Sequence, residues 1–175
     1  MSGTFTAELS VKLNKRLENN NIRIFHDHGD IKSDFKKAIK LIIGEDLKFK
    51  NKISEADIII VNESEKKVIM LIEIEEEGTL SPKKMMGDIC SFIIMDNVYI
   101  KKDKYSIILD KTKFLVSGLY NEKGNSKEKL ETIMKILMSE INRKRLIKLI
   151  IEKDKETLER KIIEYFDKNV LHHSA

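Results

Sequence analysis

Within residues 56–84, three acidic residues lie on two runs of the chain that otherwise have the pattern of apolar strands. Asp57 begins a run of β-branched residues, and Glu73 and Glu75 close the apolar run that follows it. Because side chains alternate across a strand, Glu73 and Glu75 should emerge on the same face of their strand as Ile69 and Leu71. A carboxylate on an apolar strand is costly unless a partner compensates its charge. Acidic residues in such a place indicate a site for a divalent cation.

The two apolar runs are predicted to be the strands of one hairpin. Residues 56–61 are continuously apolar apart from Asp57, as in a strand buried on both faces, and residues 67–75 return after a polar turn. Antiparallel pairing brings the start of the first strand beside the end of the second, so Asp57 should lie near both glutamates. Magnesium prefers oxygen ligands and usually keeps several waters, so a few carboxylates suffice to bind it. Such a site could activate water for in-line attack on a phosphodiester.

A helix with basic residues is expected directly after the hairpin. Ser81 is suited to cap it, Pro82 is suited to its first position, and Lys83 and Lys84 follow. A helix N-terminus attracts phosphate through its free N–H groups. Asp88 lies one turn after Lys84 on the same polar strip. We therefore expect Lys84, or else Lys83, to offset the charge of a bound phosphate.

The remaining pattern predicts a mixture of helices and strands. Apolar residues recur about every fourth position in the helical segments, as in Phe5, Leu9 and Leu13, and alternate or run continuously in the strands. Helices are predicted at residues 5–18 and 30–44, from residue 81, and in two or three segments over 126–170 with breaks near Asn142 and Asp154. Strands are predicted at residues 22–25, 56–61, 67–75, 99–100, 105–109 and 113–116, with an edge strand at 45–52. This order favours a mixed α/β sandwich with a central sheet over a helical bundle or an all-β fold.

The bulk composition is that of one globular domain. The chain has 175 residues, of which 41% are hydrophobic and 35% charged, and a net charge of +4. That charge permits a nucleic-acid partner without demanding one. Cys90, the single cysteine, fits a buried structural thiol in a reducing compartment. Without a signal sequence or an apolar run of ~18 residues, we expect a cytoplasmic protein that does not enter membranes.

The pattern of Asp57, then Glu73-Ile74-Glu75, then a helix resembles the PD-(D/E)xK nuclease superfamily, whose core runs helix, three strands, helix, strand. The resemblance spans about residues 5–110 and implies a restriction-endonuclease-like fold, a mixed central sheet flanked by helices. The single domain, residues 1–175, would then have a core at about 5–120 and extra C-terminal helices at about 126–170. The resemblance also implies that Asp57 and Glu73 bind Mg²⁺ or Mn²⁺, with Glu8 of the first helix as an additional acidic ligand.

The sequence departs from the superfamily at two positions. Ala56 replaces a proline, and Glu75 stands where a lysine is expected, as in the Glu-x-Glu variant of some restriction endonucleases. In other members the neighbouring helix supplies the lysine, for which Lys84 or Lys83 is the candidate here. Glu75 would then bind a second metal ion or orient water. The resemblance implies a magnesium-dependent DNA endonuclease of restriction, recombination or repair, and a homodimer, since double-strand cleavage takes two active sites.

Other interpretations of these residues remain open. Strand ends are solvated and glutamate is abundant in this chain, so the acidic residues could lie there by chance, and Glu76 is expected to be a solvated turn residue. Arg143, Lys144 and Arg145 could contact DNA phosphates or could form a charged outer face of a helix. His26 and His28 could bind a transition metal, but no third and fourth ligand at typical spacing is evident.

Two other classes of function also fit the sequence. The chain could be a non-catalytic module that binds nucleic acid or other proteins and retains the nuclease fold without the motif lysine. It could also be a small regulatory or assembly protein that acts through the apolar stripe of its C-terminal helices.

Overall fold

The computed structural model describes residues 3–18, 21–28, 36–44, 52–76, 82–100, 105–120, 126–140 and 146–171. Its helices are α1 (Thr4–Asn14), α2 (Pro82–Ile94), α3 (Ser126–Glu140) and α4 (Lys155–Val170). Its strands are β1 (Ile22–His26), β2 (Ile39–Ile42), β3 (Lys52–Glu55), β4 (Ile58–Asn62), β5 (Lys67–Glu75), β6 (Asn97–Ile100), β7 (Tyr105–Ile108), β8 (Lys113–Leu119) and β9 (Leu146–Glu152). The predicted α/β class is therefore confirmed.

The larger sheet has five strands in the order β1-β4-β5-β8-β9. β1, β4 and β5 pair antiparallel, whereas β5, β8 and β9 pair parallel. β4 lies between two strands and has both faces covered, which explains why Ile58 to Val61 are all buried. Along the chain, α1, β1, β4, β5, α2 and β8 follow one another as helix, three strands, helix and strand, with other elements inserted between them.

The inserted strands form a second sheet, in the order β3-β2-β6-β7. This sheet packs together with α2 and α3 on one face of the larger sheet, around a core that includes Phe92 and Phe114. α1 and α4 pack on the opposite face, around Leu9, Leu13 and Phe166. The larger sheet is thus buried on both sides, and its strand ends are the places where polar side chains can reach solvent.

A bulge in β5 changes the predicted facing of one residue. The pairing with β4 skips Ile69, which packs on the α1 and α4 side rather than with Leu71 on the opposite face. The bulge precedes the acidic residues, so Glu73 and Glu75 still share the face of Leu71, which is the side of α2. The prediction was therefore wrong for Ile69 and unaffected for the two glutamates.

Two helical predictions are wrong. Residues 39–42 form β2, which pairs with β3 and β6, and residues 146–152 form β9, which extends the larger sheet beside β8. The C-terminal extension is therefore not purely helical. Both segments are rich in isoleucine and leucine, so their spacing fits either structure, and the open edges of neighbouring strands decide for the sheet. Residues 30–35 of the predicted helix and 45–51 of the predicted edge strand lie outside the described residues.

The other predicted elements are confirmed, with ends that differ by a few residues. The break expected near Asp154 is a helix cap, because Asp154 Oδ1 accepts a hydrogen bond from the Thr157 backbone N–H at 2.8 Å. Cys90 is exposed on α2, so the prediction of a buried thiol is wrong. In the part of the chain that the structure covers, none of the helices has the length and apolar character that crossing a membrane requires.

Candidate active site

The predicted acidic residues meet at one end of the hairpin formed by β4 and β5. Ile58 pairs with Ile72, which puts Asp57 beside Glu73 at the next step of the antiparallel ladder. The Ile74 backbone N–H donates a hydrogen bond of 2.6 Å to Asp57 Oδ2. Local strand pairing therefore holds Asp57 against the end of β5, as the sequence predicts.

A cavity of about 130 Å³ opens at this end of the hairpin. Its walls come from α1, the segment after β1, the hairpin and α2. The lining residues are Gly3, Thr6, His28, Asp57, Glu73, Ile74, Glu75, Glu76 and Lys84. Four predicted site residues, Asp57, Glu73, Glu75 and Lys84, are thus brought together around one space.

The other predicted site residues lie elsewhere. Glu8 is exposed on α1, and Lys83 is exposed on α2; neither lines the cavity. The basic residues at 143–145 lie outside the part of the chain that the structure describes. The geometry therefore places Lys84, and not Lys83, beside the carboxylates.

The carboxylates of the cavity are buried to a degree that is unusual for charged groups. Asp57 and Glu75 are only 4% and 7% exposed. Glu73 Oε2 is enclosed and has no hydrogen-bond partner within the described ranges. Leaving a buried polar atom unpaired costs roughly 1–3 kcal/mol, and more for a charged one. A bound cation or a proton on this carboxylate would therefore stabilise it.

The protonation of Glu73 reflects this environment. Burial is the largest cause that raises the pKa of Glu73 well above its usual range, and the charges of Asp57 and Asp88 add to it. Lys84 and a hydrogen bond from the Asp57 backbone act in the opposite direction. Without a bound cation, the site thus shifts the protonation equilibrium of this side chain toward its neutral form.

Lys84 provides a positive charge at the cavity. It lies in the first turn of α2, and its Nζ is 2.7 Å from Glu75 Oε2. The interaction with Glu75 is the largest cause that raises the pKa of Lys84, and Asp88 and Glu73 act in the same direction. Lys84 is therefore charged and directed at the carboxylates.

Asp88 lies one turn after Lys84 on α2 and is half-buried. Burial, followed by the charges of Asp57 and Glu75, raises the pKa of Asp88 to about 6, against the opposing effect of Lys84. The sequence places Asp88 on the same polar strip as Lys84 but assigns it no role. The electrostatic coupling shows that it belongs to the same cluster of charges.

His28 contacts the cavity from the segment after β1. Its Nε2 lies 2.6 Å from Asp57 Oδ1, and this interaction is the largest cause that raises the pKa of His28. His26 has a different environment: it is buried, its Nδ1 is 2.8 Å from the His28 carbonyl oxygen, and burial lowers its pKa. The two histidines therefore do not face a common point, and it is His28 that lines the cavity.

Glu76 is not the solvated turn residue that the sequence suggested. Its carboxylate accepts hydrogen bonds from the Gly3 N–H at 3.0 Å, the Thr6 N–H at 2.8 Å and the Thr6 hydroxyl at 2.6 Å. It thereby caps the N-terminus of α1 and holds that helix against the cavity. No local sequence pattern predicts this cap, because 70 and 73 residues separate Glu76 from Thr6 and Gly3.

Across the described ranges, no three His, Cys, Asp or Glu side chains are already placed to hold a metal ion together. Asp57 and Glu75 instead contact two side chains of the protein itself, His28 and Lys84. The donors facing the cavity are nevertheless carboxylate oxygens, one of them without a partner, and these are the ligands that Mg²⁺ and Mn²⁺ prefer. The donor chemistry fits such an ion.

Comparisons of the chain with protein-family models, with curated proteins and with solved structures found no match. The site is therefore interpreted from its own chemistry. Acidic side chains, a lysine and a histidine surround a small cavity. Such a set of groups suits a divalent cation with a negatively charged oxygen beside it.

Proposed function

We propose that the protein is a DNA endonuclease that uses Mg²⁺ or Mn²⁺ and belongs to the PD-(D/E)xK type. The observation that carries this proposal is the buried, unpartnered Oε2 of Glu73, which lies beside Asp57 in a cavity that Lys84 also lines. A buried carboxylate oxygen without a hydrogen-bond partner is destabilised alone and stabilised by a bound cation. A divalent cation held by carboxylates can in turn activate water and stabilise the transition state of phosphodiester hydrolysis.

The order of elements around the cavity supports the restriction-endonuclease-like fold. Helix α1, strands β1, β4 and β5, helix α2 and strand β8 follow the order of the superfamily core. The first three of these strands pair antiparallel and the fourth pairs parallel to β5. The acidic residues lie on β5 and directly before β4, as the resemblance requires.

Each side chain of the cavity has a distinct task in this proposal. Asp57 and Glu73 would hold the metal ion, which supplies Lewis acidity and an activated water when bound. Hydrolysis forms a bond from the water oxygen to phosphorus and breaks the bond to the leaving oxygen, which gains a proton. Lys84 offsets the negative charge that develops on the phosphoryl oxygens. Glu75 holds the Lys84 ammonium in place at 2.7 Å and provides an acceptor that orients water.

The proposed substrate, DNA, is a polyanion, so we expect basic residues to contact its phosphates. Lys83 is exposed in the first turn of α2, near the cavity, where it would contact a flanking phosphate. Arg143, Lys144 and Arg145 would add further phosphate contacts. We also propose a cytoplasmic homodimer, because cutting both strands of a duplex takes two active sites.

The test is cleavage of plasmid, branched and single-stranded DNA in the presence of Mg²⁺ or Mn²⁺. We expect cleavage that EDTA abolishes and that Asp57→Ala reduces by roughly 100-fold or more. The matched control is Asp167→Ala on α4, which removes a carboxylate that pairs with Arg16 away from the cavity and should leave cleavage unchanged. If the wild-type protein leaves all three substrates intact and behaves as Asp57→Ala does, the proposal is wrong.

One observation favours the alternative, a non-catalytic module that binds nucleic acid or other proteins. His28 Nε2 and Lys84 Nζ already lie 2.6 and 2.7 Å from oxygens of Asp57 and Glu75, so these carboxylates have partners without a metal ion. A module of this kind should not be stabilised by Mn²⁺. A metal-dependent nuclease should instead show a rise in Tm with Mn²⁺ concentration, since a ligand that binds only the folded state stabilises it.

A further inference from the structure

The carboxylate of Asp57 is held at both of its oxygens. The Ile74 N–H donates to Oδ2 at 2.6 Å, and His28 Nε2 lies 2.6 Å from Oδ1. Each carboxylate oxygen has two lone pairs, so these two donors leave acceptor capacity on both oxygens. Two donors on different elements also determine the plane of the carboxylate. Asp57 is therefore oriented before any ligand arrives.

Hydrogen bonds also hold the main chain around His28 in place. His26 is 1% exposed, and its Nδ1 lies 2.8 Å from the His28 carbonyl oxygen. Because a carbonyl oxygen only accepts, this ring nitrogen must carry the proton that is donated. The Asp27 N–H donates to the Asp57 carbonyl oxygen at 2.9 Å. These bonds tie the end of β1 to the start of β4 and place the His28 ring over Asp57.

We propose that His28 is a positioning residue of the metal site, whose Nε2 holds the Asp57 carboxylate in the orientation that binds a divalent cation. This inference rests on the proposed function, because it requires a cation at Asp57. The inference adds to the site a residue, His28, that lies outside the nuclease motif. Hydrogen-bond partners of ligating carboxylates typically account for about 10- to 100-fold in metal affinity or activity.

An alternative role for His28 has the opposite effect on metal affinity. In that role a protonated imidazole at Asp57 Oδ1 occupies the place of the metal ion and competes with it. Removing the ring would then strengthen metal binding, whereas removing a positioning residue weakens it. The sign of the change in affinity therefore separates the two roles.

The experiment is calorimetric titration of the purified chain with Mn²⁺, together with the Tm of each metal-free variant. We expect His28→Ala to weaken Mn²⁺ binding about 10-fold. His28→Gln retains an N–H donor of similar reach and should recover most of that loss. His28→Ala leaves Oδ1 of the buried Asp57 without this donor and should lower the metal-free Tm, whereas His28→Gln should largely preserve it.

The matched control is Lys12→Ala, which removes a cation of comparable exposure, 51%, from its carboxylate partner Glu159 away from the cavity. It should leave Mn²⁺ affinity unchanged. The inference is overturned if His28→Ala binds Mn²⁺ as tightly as the wild type or more tightly, if His28→Gln loses as much affinity as His28→Ala, or if a fall in the metal-free Tm accompanies the loss in both variants.

These outcomes are distinct from a failure of the proposed function. If the wild type and Asp57→Ala both fail to bind Mn²⁺, the metal site and the role of His28 are rejected together. If the wild type binds, Asp57→Ala does not, and His28→Ala binds as the wild type does, the metal site stands and the role of His28 alone is rejected.

Discussion

Two charge-rich regions of the molecule differ in how their charges are accommodated. The cavity at the end of β4 and β5 is small, about 130 Å³, and its acidic residues Asp57 and Glu75 are buried. The groove between α1 and α4 is larger, about 470 Å³. Its ion pairs are Lys12 with Glu159, Arg16 with Asp167 and Arg160 with Glu164, with side chains between 25% and 60% exposed.

The comparison shows that charge and size alone do not identify a site. In the groove, water solvates each charge, so the pairs are worth little and need no ligand. In the cavity, burial removes that solvation and leaves Glu73 Oε2 without a partner in the described part of the chain. Buried polar atoms without partners are uncommon in folded proteins. The smaller region is therefore the one that we propose to bind a cation.

The sharpest test of this contrast is Glu73→Gln against Glu164→Gln. Because the amide removes a buried charge beside Asp57, Glu73→Gln should lose roughly 100-fold or more in cleavage while the metal-free protein becomes more stable by about 1 kcal/mol above neutral pH. Glu164→Gln, on the exposed face of α4, should change neither. Cleavage assays and urea unfolding provide the two measurements. A loss of stability in Glu73→Gln would show that the Glu73 carboxylate already has sufficient partners in the metal-free protein.

The next largest effect is expected from the two adjacent lysines. Lys84→Ala should reduce kcat about 100-fold with little change in KM, because its charge acts on the transition state. Lys83→Ala should change kcat by no more than about two-fold, since Lys83 is exposed and does not line the cavity. Steady-state kinetics on one DNA substrate compare them directly. Equal effects of the two substitutions would contradict the assignment of Lys84.

Asp88 allows a test through pH. Its pKa is raised to about 6 in the folded protein, so its contribution to stability is present below about pH 4, the ordinary aspartate range, and is lost as the pH rises through 6. Asp88→Asn should therefore be more stable than the wild type above pH 6, by about 1 kcal/mol after allowance for solvent screening. Near pH 4 the two should converge. Urea unfolding between pH 4 and 8 measures the difference.

The control for Asp88 is Asp110→Asn, at an exposed position after β7. Because Asp110 is exposed, this substitution should change the free energy of unfolding by no more than about 0.5 kcal/mol. If the stability of Asp88→Asn relative to the wild type does not vary between pH 4 and 8, Asp88 is not part of the buried cluster of charges.

The smallest effect should come from the groove. Arg160→Ala removes an exposed pair with Glu164, spaced four residues apart on α4, and should cost no more than about 0.5 kcal/mol. High salt should reduce that cost further, because it screens exposed charges. Cleavage should be unchanged. A cost of several kcal/mol would contradict the interpretation that water solvates the charges of the groove and that its ion pairs contribute little to stability.

Local patterns in the sequence determined the hairpin and the positions of its carboxylates. Alternation within β5, a short polar turn and antiparallel pairing are enough to bring Asp57 to Glu73, because these interactions join residues that are close along the chain. The same holds for the helix that presents Lys84, since a proline at its first position is a local signal. The α/β class followed from the same periodicities.

Only the tertiary structure decided the features that depend on distant segments. Residues 39–42 and 146–152 became strands because neighbouring strand edges were available to them, which their own spacing could not reveal. His28 reaches Asp57 and Glu76 caps α1 through contacts between elements remote in sequence. Burial likewise arises only when both faces of the sheet are covered. It is this burial that turns a set of acidic residues into a candidate metal site.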